Sequence, residues 1–283
     1  MKMKLILTAL LAALIPCAVS HAQVENDARK IVEKYGSAVV TVDIVVDAKM
    51  TYDGQTEKSE RKHSTTATII DPSGLAVTSL LQVSPDSYMD PNDKADGYSY
   101  SFVTKDCRIT TADGDEIPAD VVLRDKDLDL AFIRPKAKPD KPLAYLDMTN
   151  SSMPQLLDQI MVLTRLSQSA NHSIAAKLER VEAIVTKPRT FFVIGDSLRQ
   201  FGVPAFTMDG KCAGIVVVRY PTGHDEDSKY SFYISVLPCS TVMNVAQQAK
   251  DAKPQAQAPA PAEKPDKPVA KSNQKPPAAK KAH

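Results

Sequence analysis

The sequence predicts an all-β body, a barrel or a sandwich, with helices only at its two ends. Short β-branched runs recur along it, the clearest being the stretch VVTVDIVV that starts at Val39, and such residues suit a pleated, half-buried surface. Turn signals separate the runs at Asp71-Pro72-Ser73-Gly74, Asp113-Gly114 and Asp209-Gly210. In these, proline presets φ and glycine takes conformations that other residues avoid. Helical spacing of apolar residues occurs only before the first run and after the last, which points to strands packed on strands.

In chain order, Ala28, Ile31, Val32 and Tyr35 lie at helical spacing within Glu25–Tyr35, and Gly36 suits the end of that helix. Ser37–Val46 follows as a strand. The polar stretch Ala48–His63 is expected to be a long solvated hairpin tip or loop. Thr65–Ile70 and Leu75–Thr78 flank the first turn as strands. Strand-like stretches lie on both sides of Asp113-Gly114, followed by the apolar runs Val121–Leu123 and Leu130–Ile133. Ile160–Leu163, Ala183–Thr186, Phe191–Ile194, Gly214–Val218 and Ser231–Val236 complete the strands. Ser240–Gln248 is a closing helix with Val242, Val245 and Ala246 inward. From Lys250 to His283 the composition turns to Lys, Pro, Ala and Gln. That is too little apolar area to offset chain entropy, so a disordered, semi-extended tail is expected.

The formal net charge of +1 hides an asymmetry. The first 22 residues hold two lysines and no acid, and the tail holds eight lysines against three acids. The intervening body is left with 25 bases and 31 acids. An acidic body with a basic tail argues against a folded nucleic-acid reader, whose basic patch lies on the domain itself. The tail offers a possible contact to an envelope polyanion instead.

Residues 1–22 have the form of an export signal: Lys2 and Lys4, an apolar stretch from Leu5 to Val19, and the small-x-small site Ser20-His21-Ala22. A lipoprotein signal using Cys17 fits less well, because Pro16 stands where a small residue is wanted. The apolar stretch is too short for a membrane span. The expectation is export to the periplasm or the exterior of a bacterial envelope, with no transmembrane span left after cleavage. Cys107, Cys212 and Cys239 then remain, allowing at most one internal disulfide with its pairing open. No cofactor is expected: P-loop, G-x-G-x-x-G and zinc spacings are all absent. Asp86, Asp90, Asp93 and Asp96 share one stretch, but their spacing departs from a calcium loop and reads as a solvated acidic segment.

Four stretches, in order, resemble the HtrA-type branch of the trypsin-fold serine proteases. Thr65 to Thr78 (TTATIIDPSGLAVT) is similar to that family's G-S-G-x-I-I-D-x-x-G-x-I-L-T. Ala112-Asp113-Gly114 through Asp125-Lys126-Asp127-Leu128-Asp129-Leu130-Ala131 is similar to A-D-G followed by D-x-x-x-D-L-A. Pro204 through Asp209-Gly210-Lys211 to Gly214-Ile215 resembles the segment after the nucleophile, and Leu237-Pro238 with Val242 the opening of the last helix. The resemblance spans about Val24 to Gln248 and leaves no room for a following PDZ domain. It implies two six-stranded β-barrels, at about 37–135 and 143–237, with a peptide cleft between them.

That chemistry needs a serine nucleophile, a histidine base and an orienting aspartate. The resemblance puts Asp129 at the aspartate, Leu81 at the histidine, and Phe201 at the serine, counting back from Pro204. The expectation is therefore a catalytically inactive homologue, with Asp129 facing Leu81 and Phe201 across an apolar patch and a protein or peptide ligand in the cleft. Val203 falls on a family glycine, so the turn that builds the oxyanion hole is expected to be remade. Gly195-Asp196-Ser197 supplies a second register that nominates Ser197 as a displaced nucleophile. His63, His172 and His224 are weak candidates for a displaced base.

Overall fold

A computed structural model describes residues 15–52, 55–85, 98–195, 200–220 and 232–253, with backbone alone for 15–22 and 98. Ser197, His224, the aspartates from Asp86 to Asp96 and the tail beyond residue 253 lie outside the described residues.

Strands β1 (Val39–Tyr52), β2 (Gln55–Ile69), β3 (Ala76–Ser79), β4 (Tyr98–Thr110), β5 (Glu116–Asp125) and β6 (Leu130–Pro135) close into one barrel in the order β1-β2-β3-β6-β5-β4. Strands β7 (Gln159–Arg165), β8 (Ile174–Val185), β9 (Phe191–Ile194), β10 (Pro204–Thr207), β11 (Cys212–Arg219) and β12 (Tyr233–Pro238) close a second in the order β10-β11-β12-β9-β8-β7. All the pairings within both barrels are antiparallel. Helix α1 (Ile15–Tyr35) precedes the barrels, α2 (Leu80–Val83) is one short turn after β3, and α3 (Cys239–Asp251) ends the described chain. This is a double-barrel architecture consistent with a trypsin-like fold. Helix α2 was not expected, and α1 runs back through the expected cleavage point at Ala22. Its packing side chains begin at Ala28.

The apolar runs fail to alternate because their strands are covered on both faces. On β6, Ala131 and Ile133 fill the first barrel while Leu130 and Phe132 enter a cluster shared by both barrels. On β7, Ile160 and Val162 fill the second barrel while Met161 and Leu163 enter the shared cluster. On β11, Val216 points into the second barrel and Ile215 and Val217 into the shared cluster. Alternate side chains leave opposite faces of a strand, so a strand lying between a barrel interior and a packed neighbour must be apolar throughout. Both terminal helices add to the shared cluster through Ile31, Tyr35, Val242, Val245 and Ala246. The Tyr35 ring stacks on Phe206 with centroids 4.8 Å apart, which fixes α1 against the second barrel.

Polar clamps complete the join. The Arg165 guanidinium on β7 donates to the carbonyls of Gly36 (3.1 Å), Val39 (2.5 Å) and His172 (2.9 Å). Arg134 on β6 donates to the carbonyls of Ala249, Lys250 and Ala252, and Lys250 pairs with Asp71 at 2.8 Å. The point where the tail leaves the body is thereby tied to the first barrel.

Of the two forms expected for Ala48–His63, a solvated hairpin tip or a loop, the structure shows the hairpin, extended into an arm. β1 and β2 stay in register from Val39↔Thr68 to Tyr52↔Gln55, and β4 pairs with β1 as far as Tyr52↔Tyr98. Gln55 to Lys62 are exposed throughout, so the arm has no core of its own to impose a hydrophobic period.

Cys107, Cys212 and Cys239 are all free, buried thiols, which closes the question of an internal pair among them. Burial, with Asp106 and Asp120 nearby, pushes the Cys107 thiol from its ordinary 9.0 up to about 12. The unfolded chain therefore gives up this proton first. The stabilisation from keeping the thiol protonated is complete below pH 9.0 and is lost as pH rises toward about 12. One such group gives a slope of about 1.4 kcal/mol per pH unit. Urea denaturation across that window should show the decline, and Cys107→Ala should flatten it by one group's share; equal slopes in the two proteins would disprove the assignment.

Candidate functional site

The β5–β6 turn carries Asp129 in the left-handed region, φ 56°, with only 1% of its surface exposed. A non-glycine residue takes that conformation only where its surroundings hold it. Here they do so through the carboxylate. One oxygen accepts from the Ser79 hydroxyl at 2.7 Å and from the Val218 N–H at 2.8 Å, and the other accepts from the Leu81 N–H at 2.9 Å. The backbone carbonyl of Asp129 also accepts from the Leu80 N–H at 3.1 Å. Asp129 thus caps the short helix α2 with both its carboxylate and its carbonyl. Because Val218 lies on β11, it also reaches across to the second barrel.

Of the positions singled out in the sequence, the structure brings Leu81 and Asp129 together through the Leu81 backbone, and Leu81 itself is half-buried. Phe201 goes elsewhere: it packs on the interior core of the second barrel. The positive φ near it belongs to Gly202 (76°) rather than Val203, which is fully buried and accepts from the Val216 N–H at 2.8 Å. Gly202 is needed for another reason. A Cβ there would lie 2.3 Å from the Thr78 hydroxyl and 2.4 Å from the Thr78 Cα, so the two barrels touch at this point without a side chain between them. The Gly202 carbonyl also accepts from the Thr68 hydroxyl at 3.1 Å.

The histidines within the described residues are occupied locally. His63 Nε2 is 2.9 Å from the Gln82 carbonyl, and His172 Nδ1 is 3.2 Å from the Thr41 hydroxyl. Between the barrels a cavity of about 230 Å³ is lined by Thr41, Thr66 and Gln82 on one side and Arg165, His172 and Gln200 on the other. Thr164 donates to the Gln200 side chain, whose amide donates to the Arg165 carbonyl at 2.7 Å. The walls are mostly hydrogen-bonding groups, with the apolar Leu166 also in the lining, beside one guanidinium already committed to backbone. Burial holds that guanidinium below its usual range, with Asp113 working against the shift. Among the described residues no group of His, Cys, Asp and Glu side chains could hold a metal ion, and no helix is long and apolar enough to cross a membrane.

Sequence reasoning missed Ser79, Val218 and Tyr220. Burial, and then the Asp129 charge, raise the Tyr220 phenol above its usual range. Ser79 had a signal, a hydroxyl two residues before Leu81. Val218 had none, since it acts through a backbone N–H that every residue but proline has.

No protein-family model matches the sequence, and no curated protein matches it.

Removing the carboxylate leaves two N–H groups and a hydroxyl without their buried acceptor. Asp129→Ala should cost about 3–5 kcal/mol in urea denaturation, and Asp129→Asn, which keeps one acceptor oxygen, clearly less. Two variants of equal stability would show that the three donors find other partners.

Proposed function

We propose that this protein is an exported, catalytically inactive homologue of the trypsin-fold proteases, of HtrA-like type, that binds an extended protein or peptide segment between its barrels. The observation that carries this reading is the environment of Asp129. In a working triad that carboxylate holds an imidazole. Here its oxygens are engaged by Ser79, Val218 and the backbone of Leu81, and the residue at the histidine position is a leucine. Losing the serine or the histidine of such a triad costs on the order of 10⁶ in turnover, and losing both costs little more.

The cleft supports the binding half of the reading. Its hydroxyl and amide donors and acceptors suit the main chain of an extended segment, which is recognised largely through backbone hydrogen bonds with side chains as secondary determinants. Export rests on residues 1–22, and the basic tail offers a second contact to envelope polyanions.

A fluorophosphonate probe applied to the purified protein, beside Ser197→Ala, tests the first half. No labelling of either protein is expected; labelling that disappears in Ser197→Ala would establish a displaced nucleophile and overturn the reading. A peptide array tests the second half. Gln82→Trp, which fills the cleft, should weaken capture of extended peptides about tenfold, equivalent to about 1.4 kcal/mol. Undiminished capture would move binding away from the cleft.

A further inference from the structure

We propose that β2 pairs edge to edge, antiparallel, with β2 of a second copy of this chain about a two-fold axis through Ser59. On its inner side β2 pairs with β1 along its whole length, but on its outer side it pairs with β3 only at Thr68 and Ile69. From Gln55 to Lys62 the outer edge meets no described strand, and all eight residues are exposed. Alternate residues of such an edge present their N–H and C=O groups outward, where another strand can take them.

The charges on this edge select the occupant. The segment reads Glu57-Lys58-Ser59-Glu60-Arg61. Antiparallel pairing with itself about Ser59 sets Glu57 opposite the second copy's Arg61, and Lys58 opposite the second copy's Glu60. The two-fold axis repeats both contacts, so four cross-strand pairs of opposite sign form. The nearest registers that keep the outward groups paired differ by two: one sets Lys58 against Lys62 and Glu60 against its own copy, and the other sets Lys58 against its own copy. Like charges directly opposite destabilise a pair and opposite charges support it, so one register is favoured over its neighbours. Charged residues often guard an edge against pairing, but a guarding pattern repels its own copy and this one attracts it.

The pattern is poorly matched inside the arm itself. Across the β1–β2 ladder Asp47 faces Glu60 and Lys49 faces Lys58, two like-charge pairs. Lys105 relieves the first, lying 2.5 Å from Glu60. Among the described residues Glu57, Lys58 and Arg61 form no ion pair, which leaves these charges open to complements across the free edge.

β2 continues from this edge into the cleft wall at Ser64, Thr65 and Thr66. At about 3.4 Å per residue, the two cleft walls of such a dimer lie roughly 40 Å apart along one ribbon. The dimer does not depend on what the cleft binds.

Charge exchange tests the pairing on the whole protein. One variant carries Lys58→Glu and Arg61→Glu; the other carries Glu57→Lys and Glu60→Lys. Circular dichroism establishes that both are folded, and sedimentation equilibrium reads the association. The unaltered protein should dimerise, with a dissociation constant that rises about tenfold from about 0.05 to about 0.5 M salt. Each variant alone should associate at least about tenfold more weakly, and the equimolar mixture should recover the dimer as a heterodimer. A monomeric unaltered protein, variants that self-associate as well as it does, or a mixture that stays monomeric would each overturn the proposal. So would a monomer whose edge captures an unrelated extended peptide instead.

Discussion

Three hydrogen bonds to one buried carboxylate hold the junction of this molecule. Asp129 takes an unfavourable backbone conformation, a cost of about 1–3 kcal/mol, and removes a charge from water. Both costs are met because Ser79, Leu81 and Val218 converge on it, and hydrogen bonds to an ionised acceptor contribute about 1.5–3 kcal/mol each. The donors come from three places: the end of β3, the first turn of α2, and β11 of the other barrel. α2 is a single turn whose N-cap residue, Ser79, makes no capping bond with its own side chain, and Asp129 supplies the acceptors for its first N–H groups. The same group therefore sets the shape of the chain after β3 and the position of one barrel against the other.

Around that point the join is built from contacts that leave little room for adjustment. Gly202 lies against Thr78 at a distance no Cβ could occupy. The shared apolar cluster draws on both barrels and both terminal helices, so sliding one barrel on the other would expose residues from several strands at once. Asp127, two residues before Asp129, pairs with Arg189, and its carbonyl accepts from Arg219, both on the second barrel. Those two contacts are exposed; the buried polar joint at Asp129 is stabilising only when every member is satisfied. That makes it suited to fixing geometry, whether or not chemistry takes place beside it.

What was legible in the sequence follows from how burial writes itself into residue choice. The apolar runs at Leu130–Ile133 and Ile160–Leu163 were legible as strands, and the structure shows that they fail to alternate because both faces are covered. Closure into six strands each was not written in any one run and came only from the resemblance. The arm could be read from sequence as a solvated hairpin tip or as a loop, because the exposed Gln55 to Lys62 carry no period of two and their strand conformation comes from pairing with β1. At the site, Leu81 and Asp129 were found because identity matters there. The Val218 donor was invisible because it belongs to the backbone. Phe201 packs on the core of the second barrel, as a large apolar side chain beside a barrel interior is drawn into it.

The two halves of β2 show how one strand serves opposite demands. Its last residues, Ala67 to Ile69, are buried and belong to the first barrel. Its middle, Ser64 to Thr66, lines the cleft with hydroxyls. Its first eight residues are exposed and charged. A strand transmits position along its length because register with its neighbour is fixed residue by residue, and here β1 matches it for fourteen consecutive pairs without a break. An event at the free edge is therefore coupled rigidly to the cleft wall about 20 Å away, at about 3.4 Å per residue. That wall is held in turn by the barrel whose other side meets Asp129. What a strand shared between an exposed edge and a cleft wall can deliver is the placement of one surface relative to another.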